Sequence, residues 1–217
     1  MKGQIFLIIA ILFVLFLVIL RSGLNLQQIL ENQRALEENL DRLEFDNIRT
    51  EFDNSLLVSF NSTVNMTNNT INFTRYVQQV EQSKGLNFKA FAIQTAFNNT
   101  TASTDMTLNV TLLNLVGDQI SFINLTFTNA TPAAQKTFTN IADNATLYTF
   151  FNFNAAAATN YTLYVFWNTS ARNETDSFIV PVEIMKSKYV GYFDIELIGK
   201  RTNHRDKFVH TFTIRQP

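Results

Sequence analysis

Hydrophobic and polar positions follow three successive rhythms along this chain. From Ile5 to Leu20 sixteen consecutive residues are apolar and none is charged. As a helix this run is ~24 Å long at ~1.5 Å per residue, slightly short of the ~30 Å hydrocarbon layer of a bilayer unless Met1 to Gln4 or Arg21 to Leu26 contribute. It predicts a transmembrane anchor within residues 1–23. The residues that follow, Arg21, Ser22 and Gly23, carry no small-x-small cleavage pattern, so the anchor is expected to be retained rather than removed by an ordinary signal peptidase.

The second rhythm is helical. Leu26, Ile29, Gln33, Leu36, Leu40 and Leu43 follow steps of three and four, and the stripe then shifts phase to Phe45, Ile48, Phe52 and Leu56. Residues 24–85 are therefore read as a helical stalk region. Its stripe can pack on the chain's own sheet, or it can drive self-association or bind another surface protein. Asn and Thr are poor helix formers, so a break is expected near Thr63 to Asn69, followed by a second helix from about Asn72 to Lys84 and closed by Gly85.

After Gly85 the period becomes two. Strands are expected at Phe88 to Phe97, Met106 to Leu115, Ile120 to Thr128, Leu147 to Phe153, Tyr161 to Trp167, Phe178 to Ile184, Tyr189 to Ile198 and Phe208 to Ile214. Gly117-Asp118 predicts a hairpin between the second and third, and Pro181 places its strand at a sheet edge. The fold class expected is α+β: a transmembrane helix continuing into a long stalk helix, then an antiparallel β-sandwich of about eight strands over residues 86–217. Around Tyr148 and Phe150, and around Tyr164 and Phe166, both strand faces are apolar. Something must cover the second face, with the second helix preferred over another subunit.

Composition adds a location. Thirteen Asn-x-Ser/Thr sequons begin at Asn61, Asn65, Asn68, Asn72, Asn98, Asn99, Asn109, Asn124, Asn129, Asn144, Asn160, Asn168 and Asn173, whereas random placement of the same residues gives about four. Between Ala90 and Ala171 the charged residues are Asp105, Asp118, Lys136 and Asp143 alone, far below the roughly quarter to third of an ordinary soluble surface. Sugars replacing those charges, or neighbouring subunits covering them, would account for the deficit. The register agrees, since Asn109 alternates away from Leu108, Val110 and Leu112, and Asn124 away from Ile123, Leu125 and Phe127.

The chain contains no cysteine, which excludes disulfides, cysteine nucleophiles and thiolate metal sites. Its 21 Phe residues supply core area instead. A net charge of -1 gives no electrostatic pull toward nucleic acid. His204 and His210 read as solvated loop residues, and Asp194 and Glu196 as an exposed ion-pair ladder rather than an acid/base pair. Lys200, Arg201, Arg205 and Lys207 form the one dense basic cluster, suited to a solvated turn or to contact with an anionic partner such as a surface polysaccharide. No cofactor, metal site or catalytic residue is expected. A carbohydrate-binding module is the alternative from another class, although periodicity assigns most aromatic residues to the core.

The start Lys2-Gly3-Gln4, followed at once by the apolar run, resembles the class III signal of archaeal type IV pilin-like proteins. That resemblance implies cleavage between Gly3 and Gln4, and a helix that continues into a stalk bearing a β-rich head. Ile8 stands where many pilins have glutamate. Other archaeal surface proteins with one amino-terminal helix, including the archaellum's anchored accessory subunits, are similar in layout. The expectation is a single-pass membrane protein with an extracellular, N-glycosylated domain in a structural or adhesive role, or alternatively a filament subunit.

Overall fold

The computed structural model describes residues 2–58, 63–97, 105–128, 134–154, 159–183 and 186–214, with side chains from Ile11 onward except that of Thr159. Among these residues two helices precede nine strands: α1 Lys2–Val58, α2 Thr63–Ser83, β1 Asn87–Phe97, β2 Asp105–Leu115, β3 Ile120–Thr128, β4 Ala134–Ile141, β5 Thr146–Asn154, β6 Thr159–Asn168, β7 Asn173–Val182, β8 Ser187–Ile198 and β9 Asn203–Ile214. The class is α+β, as the sequence predicts. All eight expected strands appear, with Ile184, the expected end of the sixth, outside the described residues, and β4 is a ninth.

Contacts divide the chain into two compact units, 1–44 and Phe45–Pro217. The division falls inside α1, at the phase shift of its apolar stripe. In the first unit Leu26, Ile29, Leu36, Leu40 and Leu43 are all more than half exposed. From Phe45 onward the shifted stripe is buried: Phe45, Ile48, Phe52 and Leu56 belong to the second unit's core. A stripe displaced by one step points to a different side of the helix, so one helix carries two seams. Among the described residues α1 is the one helix long and apolar enough to cross a membrane.

The second unit has three layers. Five strands form one sheet in the order β5-β2-β1-β8-β9, and four form another in the order β4-β3-β6-β7. All pairings are antiparallel. Alternation sends Phe91, Ile93, Leu108, Val110, Phe151 and Tyr192 of the first sheet against Ile123, Leu125, Phe127, Leu163 and Trp167 of the second. Phe91 packs on Trp167 in a tilted arrangement at 4.7 Å between ring centroids, and Phe127 stacks on Tyr161 at 5.1 Å. The opposite face of the five-stranded sheet packs Phe88, Ala90, Ala92, Phe193, Ile195 and Leu197 against the end of α1 and α2. Since β1 and β8 are central strands covered on both sides, β8 is buried almost throughout.

Helix α2 begins at Thr63, well before the expected Asn72. Its threonines explain the earlier start: Thr67, Thr70 and Thr74 lie on the sheet-facing side and their hydroxyls donate to the carbonyls of Thr63, Met66 and Thr70, at 3.0, 2.7 and 2.6 Å. Once those hydroxyls are satisfied locally, the threonine methyls pack like small apolar groups. The carboxyl end is the one predicted. Gly85 adopts φ 80°, its N–H donates to Gln82 and that of Leu86 to Glu81, which together close the helix as a Schellman motif.

The hairpin expected at Gly117-Asp118 is not formed. β2 and β3 belong to different sheets, and the segment between them is a corner of the sandwich. Buried Asn114 holds it, donating through Nδ2 to the carbonyls of Asp118, Ile141 and Ala142. Both Val116 and Ile120 then enter the inter-sheet core, one from each side of the corner. Pro181 does lie on an edge strand, β7.

Candidate functional site

Nine of the thirteen sequon asparagines fall among the described residues; Asn61, Asn98, Asn99 and Asn129 lie outside them. Asn65, Asn68, Asn72, Asn109, Asn144, Asn160 and Asn173 are exposed, and Asn124 and Asn168 are half-buried. Two structural settings occur. On a helix, residues i and i+2 are about 200° apart, so Asn65, Asn68 and Asn72 face solvent while the threonines of the same triplets face the sheet. On a strand, i and i+2 share a face, so asparagine and threonine of the Asn109 and Asn124 triplets stand side by side. Asn144 sits in a left-handed turn at φ 64°, and Arg75 of α2 donates to its carbonyl and to the Thr146 hydroxyl.

The outward strand positions of the four-stranded sheet carry no charge among the described residues. β3 presents Phe122, Asn124, Thr126 and Thr128; β6 presents Asn160, Thr162, Tyr164, Phe166 and Asn168; β7 presents Asn173, Thr175, Ser177 and Ile179. The outward side of β4 is Gln135, Thr137 and Thr139. Its one cation, Lys136, turns inward and places Nζ 4.6 Å from the Phe150 ring centroid on edge strand β5. An inward charge on an edge strand discourages pairing with another chain.

The cover expected over the aromatic second faces is absent within the described residues. α2 lies on β1, β8 and β2 instead, and Tyr148, Phe150, Tyr164 and Phe166 remain 67%, 49%, 48% and 37% exposed. Helix α2 follows the longer apolar face of the central strands, which offers more area to bury. Between its first turns and the β2–β5 edge lies an open groove of about 220 Å³, bordered by Thr63, Val64, Asn68, Asn109, Thr111 and Tyr148.

Asp194 and Glu196 do not form the exposed ladder expected. They are buried on β8, facing the margin where β7 and β9 meet. Arg205 grips Asp194 with Nε at 2.7 Å from Oδ1 and reaches Glu174 at 2.7 Å; Lys207 bridges Glu174 and Asp176. Arg172 and Asn203 hold Glu196. Burial pushes the Glu196 carboxyl up, but the hydrogen bonds from Arg172 and Asn203 outweigh it and leave the group below its ordinary value; Glu174 is lowered in the same way by Lys207 and Arg205. Carboxyls held ionised are the opposite of the raised pKa that a general acid needs near neutral pH.

The basic cluster is thereby divided. Arg205 and Lys207 are internal counter-ions, whereas Lys200 and Arg201 sit exposed in the β8–β9 turn, where the Gly199 N–H donates to the Thr202 carbonyl at 3.0 Å. The two histidines are not solvated loop residues either. Both lie on the β9 face that meets the end of α1: His204 is 5.9 Å from the Phe45 ring, and His210 Nε2 is 2.7 Å from Asp53. Arg49 pairs with Asp206 beside them at 2.7 Å. No sequence signal marked these as docking residues, because their partners are more than 150 positions away. Gly3 and Gln4 lie within the backbone of α1. The chain matches no known protein family, no curated protein and no solved structure.

Proposed function

We propose that this protein is a non-catalytic surface glycoprotein anchored by α1, with the Phe45–Pro217 unit outside the cell serving a structural or adhesive role. The observation that carries the reading is the charge-free outer face of the four-stranded sheet, on which Asn124, Asn160, Asn168 and Asn173 stand among Thr and Ser. Among the described residues this face has neither charges nor a hydrophobic partner, and N-linked sugar at those sequons supplies the hydration it needs. The apolar span of α1 supplies the anchor. The ionised state of Glu174 and Glu196 supports a structural rather than a catalytic role for the acidic cluster.

Treating intact cells of the native host with a membrane-impermeant amine reagent tests the location. The expected result is labelled, exposed Lys200 in protein recovered from the membrane fraction. Labelling only after lysis, or recovery in the soluble cytosolic fraction, would overturn it.

The exposed stripe Leu26, Ile29, Leu36, Leu40 and Leu43 supports a second element of the reading, self-association or binding of another surface protein through residues 24–43. A pilin-like filament is the extended form of that reading. Extraction in mild detergent separates the two, giving discrete particles for an anchored oligomer and long fibres for a filament.

A further inference from the structure

The exposed aromatic side chains on strands, among the described residues, are Tyr148, Phe150, Tyr164 and Phe166. Their placement repeats. On β5, Phe150 is the direct cross-strand partner of Asn109 and Tyr148 that of Thr111. On β6, Phe166 is the partner of Asn124 and Tyr164 that of Thr126. In two different sheets, then, a Tyr-x-Phe segment lies antiparallel to an Asn-x-Thr sequon with phenylalanine opposite asparagine and tyrosine opposite threonine. Direct cross-strand partners have Cβ atoms about 4.5–5.5 Å apart on the same face. We infer that each Tyr-x-Phe pair is a platform on which the first sugars of the glycan at the facing asparagine, Asn109 or Asn124, lie.

The inference rests on the glycoprotein reading and says where the sugar goes. A pyranose ring linked to asparagine Nδ2 emerges within reach of the neighbouring ring, and its C–H face is the apolar surface that an exposed phenylalanine lacks. Covering the ring removes apolar area from water while the sugar hydroxyls stay hydrated. The site beside Asn109 is also concave: the groove of about 220 Å³ has Asn109, Thr111 and Tyr148 on its rim and α2 as its far wall. That is smaller than the roughly 300–1,000 Å³ of ordinary small-molecule sites and suits one sugar ring attached at the rim. Beside Asn124 the platform is extended by Phe122, whose ring meets Phe166 edge-on at 5.9 Å. Among the described residues α2 covers none of these rings, and from the opposing sheet only Lys136 of β4 reaches one side of Phe150, so the solvent side of each pair is left for a covalently attached occupant. Asn160 provides an internal comparison, since its cross-strand partner is Pro181.

Hydroxyl-radical footprinting of the full chain purified from native membranes, read by peptide mass spectrometry, tests this. Asn124→Gln is expected to raise oxidation of Tyr164 and Phe166 several-fold and leave Tyr148 and Phe150 unchanged. Asn109→Gln should do the converse, and Asn160→Gln should move neither pair. Thr126→Val and Thr111→Val, which remove the sequons but keep the asparagines and the β-branched shape, should reproduce the effects if an amide substitution disturbs folding. The same spectra report occupancy. Sugar present on Asn109 and Asn124 with ring oxidation indifferent to its removal would overturn the platform and leave the glycoprotein reading standing. Both asparagines bare in the parent protein would overturn both at these positions, and rings that stay protected without any sugar would assign the surface to another macromolecule.

Discussion

Replacing Phe52 by alanine removes the side chain on which the end of α1 is seated. Phe52 has no exposed surface and meets Phe73 edge-on at 4.9 Å, Phe193 at 5.3 Å and Phe208 at 6.0 Å. It therefore joins both helices to β8 and β9 at once, and the rigid sheet beneath it has little freedom to collapse into the space left. A buried Phe→Ala change of this kind costs about 4 kcal/mol, within the ~3–5 kcal/mol range for such sites. For a chain of this size each kcal/mol lowers the melting temperature by ~2–4 °C, so a drop of about 8–16 °C is expected. The assay is thermal unfolding of the full chain in mild detergent, followed through the fluorescence of Trp167, which is the only tryptophan and is buried between the sheets. Leu40→Ala, 56% exposed on the first unit's stripe, is the control and, measured on chain diluted in detergent to the monomer, should shift the melt by no more than about 1–2 °C, the effect of ~0.5 kcal/mol. Equal, small shifts for the two variants would refute the division of α1 into a free stripe and a docked stripe.

Further outcomes follow from the ionic margin, the histidine and the helix cap. Arg205→Ala leaves buried Asp194 without its two hydrogen bonds and should cost about 3 kcal/mol, the lower end for a broken buried pair because the arginine side chain is 29% exposed; the double change with Asp194→Leu should recover much of it in the same melt. Burial holds the His210 imidazole below its ordinary value, partly opposed by Asp53 and reinforced by Arg49. A histidine depressed in the folded chain gives stability that is complete above about pH 6.5 and lost as pH falls below it; melts recorded against pH should therefore decline there, and His210→Gln should flatten that decline. Glu174 and Glu196, lowered in the folded chain, contribute stability present above about pH 4.5 and lost on further acidification, so the acid limb should survive in His210→Gln. Gly85→Ala meets no atom within 4 Å, but its φ of 80° should cost about 1 kcal/mol by conformational strain alone, read as ~2–4 °C in the melt.

Period-two alternation made the strands readable because one face of each meets a core. β4 is hidden in the sequence for a physical reason: its core-facing residues are Ala134, Lys136, Phe138 and Ile141, too mixed and, past the left-handed Asn140, too irregularly spaced to show the rhythm. The phase shift between Leu43 and Phe45 is visible in the sequence, but only the fold shows that burial in the second unit's core begins there. The burial of Asp194 and Glu196 was hidden because the spacing of two carboxylates on a strand is the same for an exposed ladder and for a closed margin. What distinguishes them is β7, twenty residues earlier, which brings Glu174 and Asp176 to share Arg205 and Lys207. Likewise the Gly117-Asp118 corner has hairpin residues, and it is Asn114 bonding three carbonyls that turns the chain into the other sheet. The sequons were readable as a list, while the pairing of Asn109 with Phe150 and Asn124 with Phe166 exists only in the register.

Hydration of an uncharged sheet face by attached sugar is most directly tested by peptide mass spectrometry of protein purified from membranes of its native host. Peptides containing Asn124, Asn160, Asn168 and Asn173 should carry saccharide mass and lose it on chemical deglycosylation. Unmodified asparagine at all four would contradict the account.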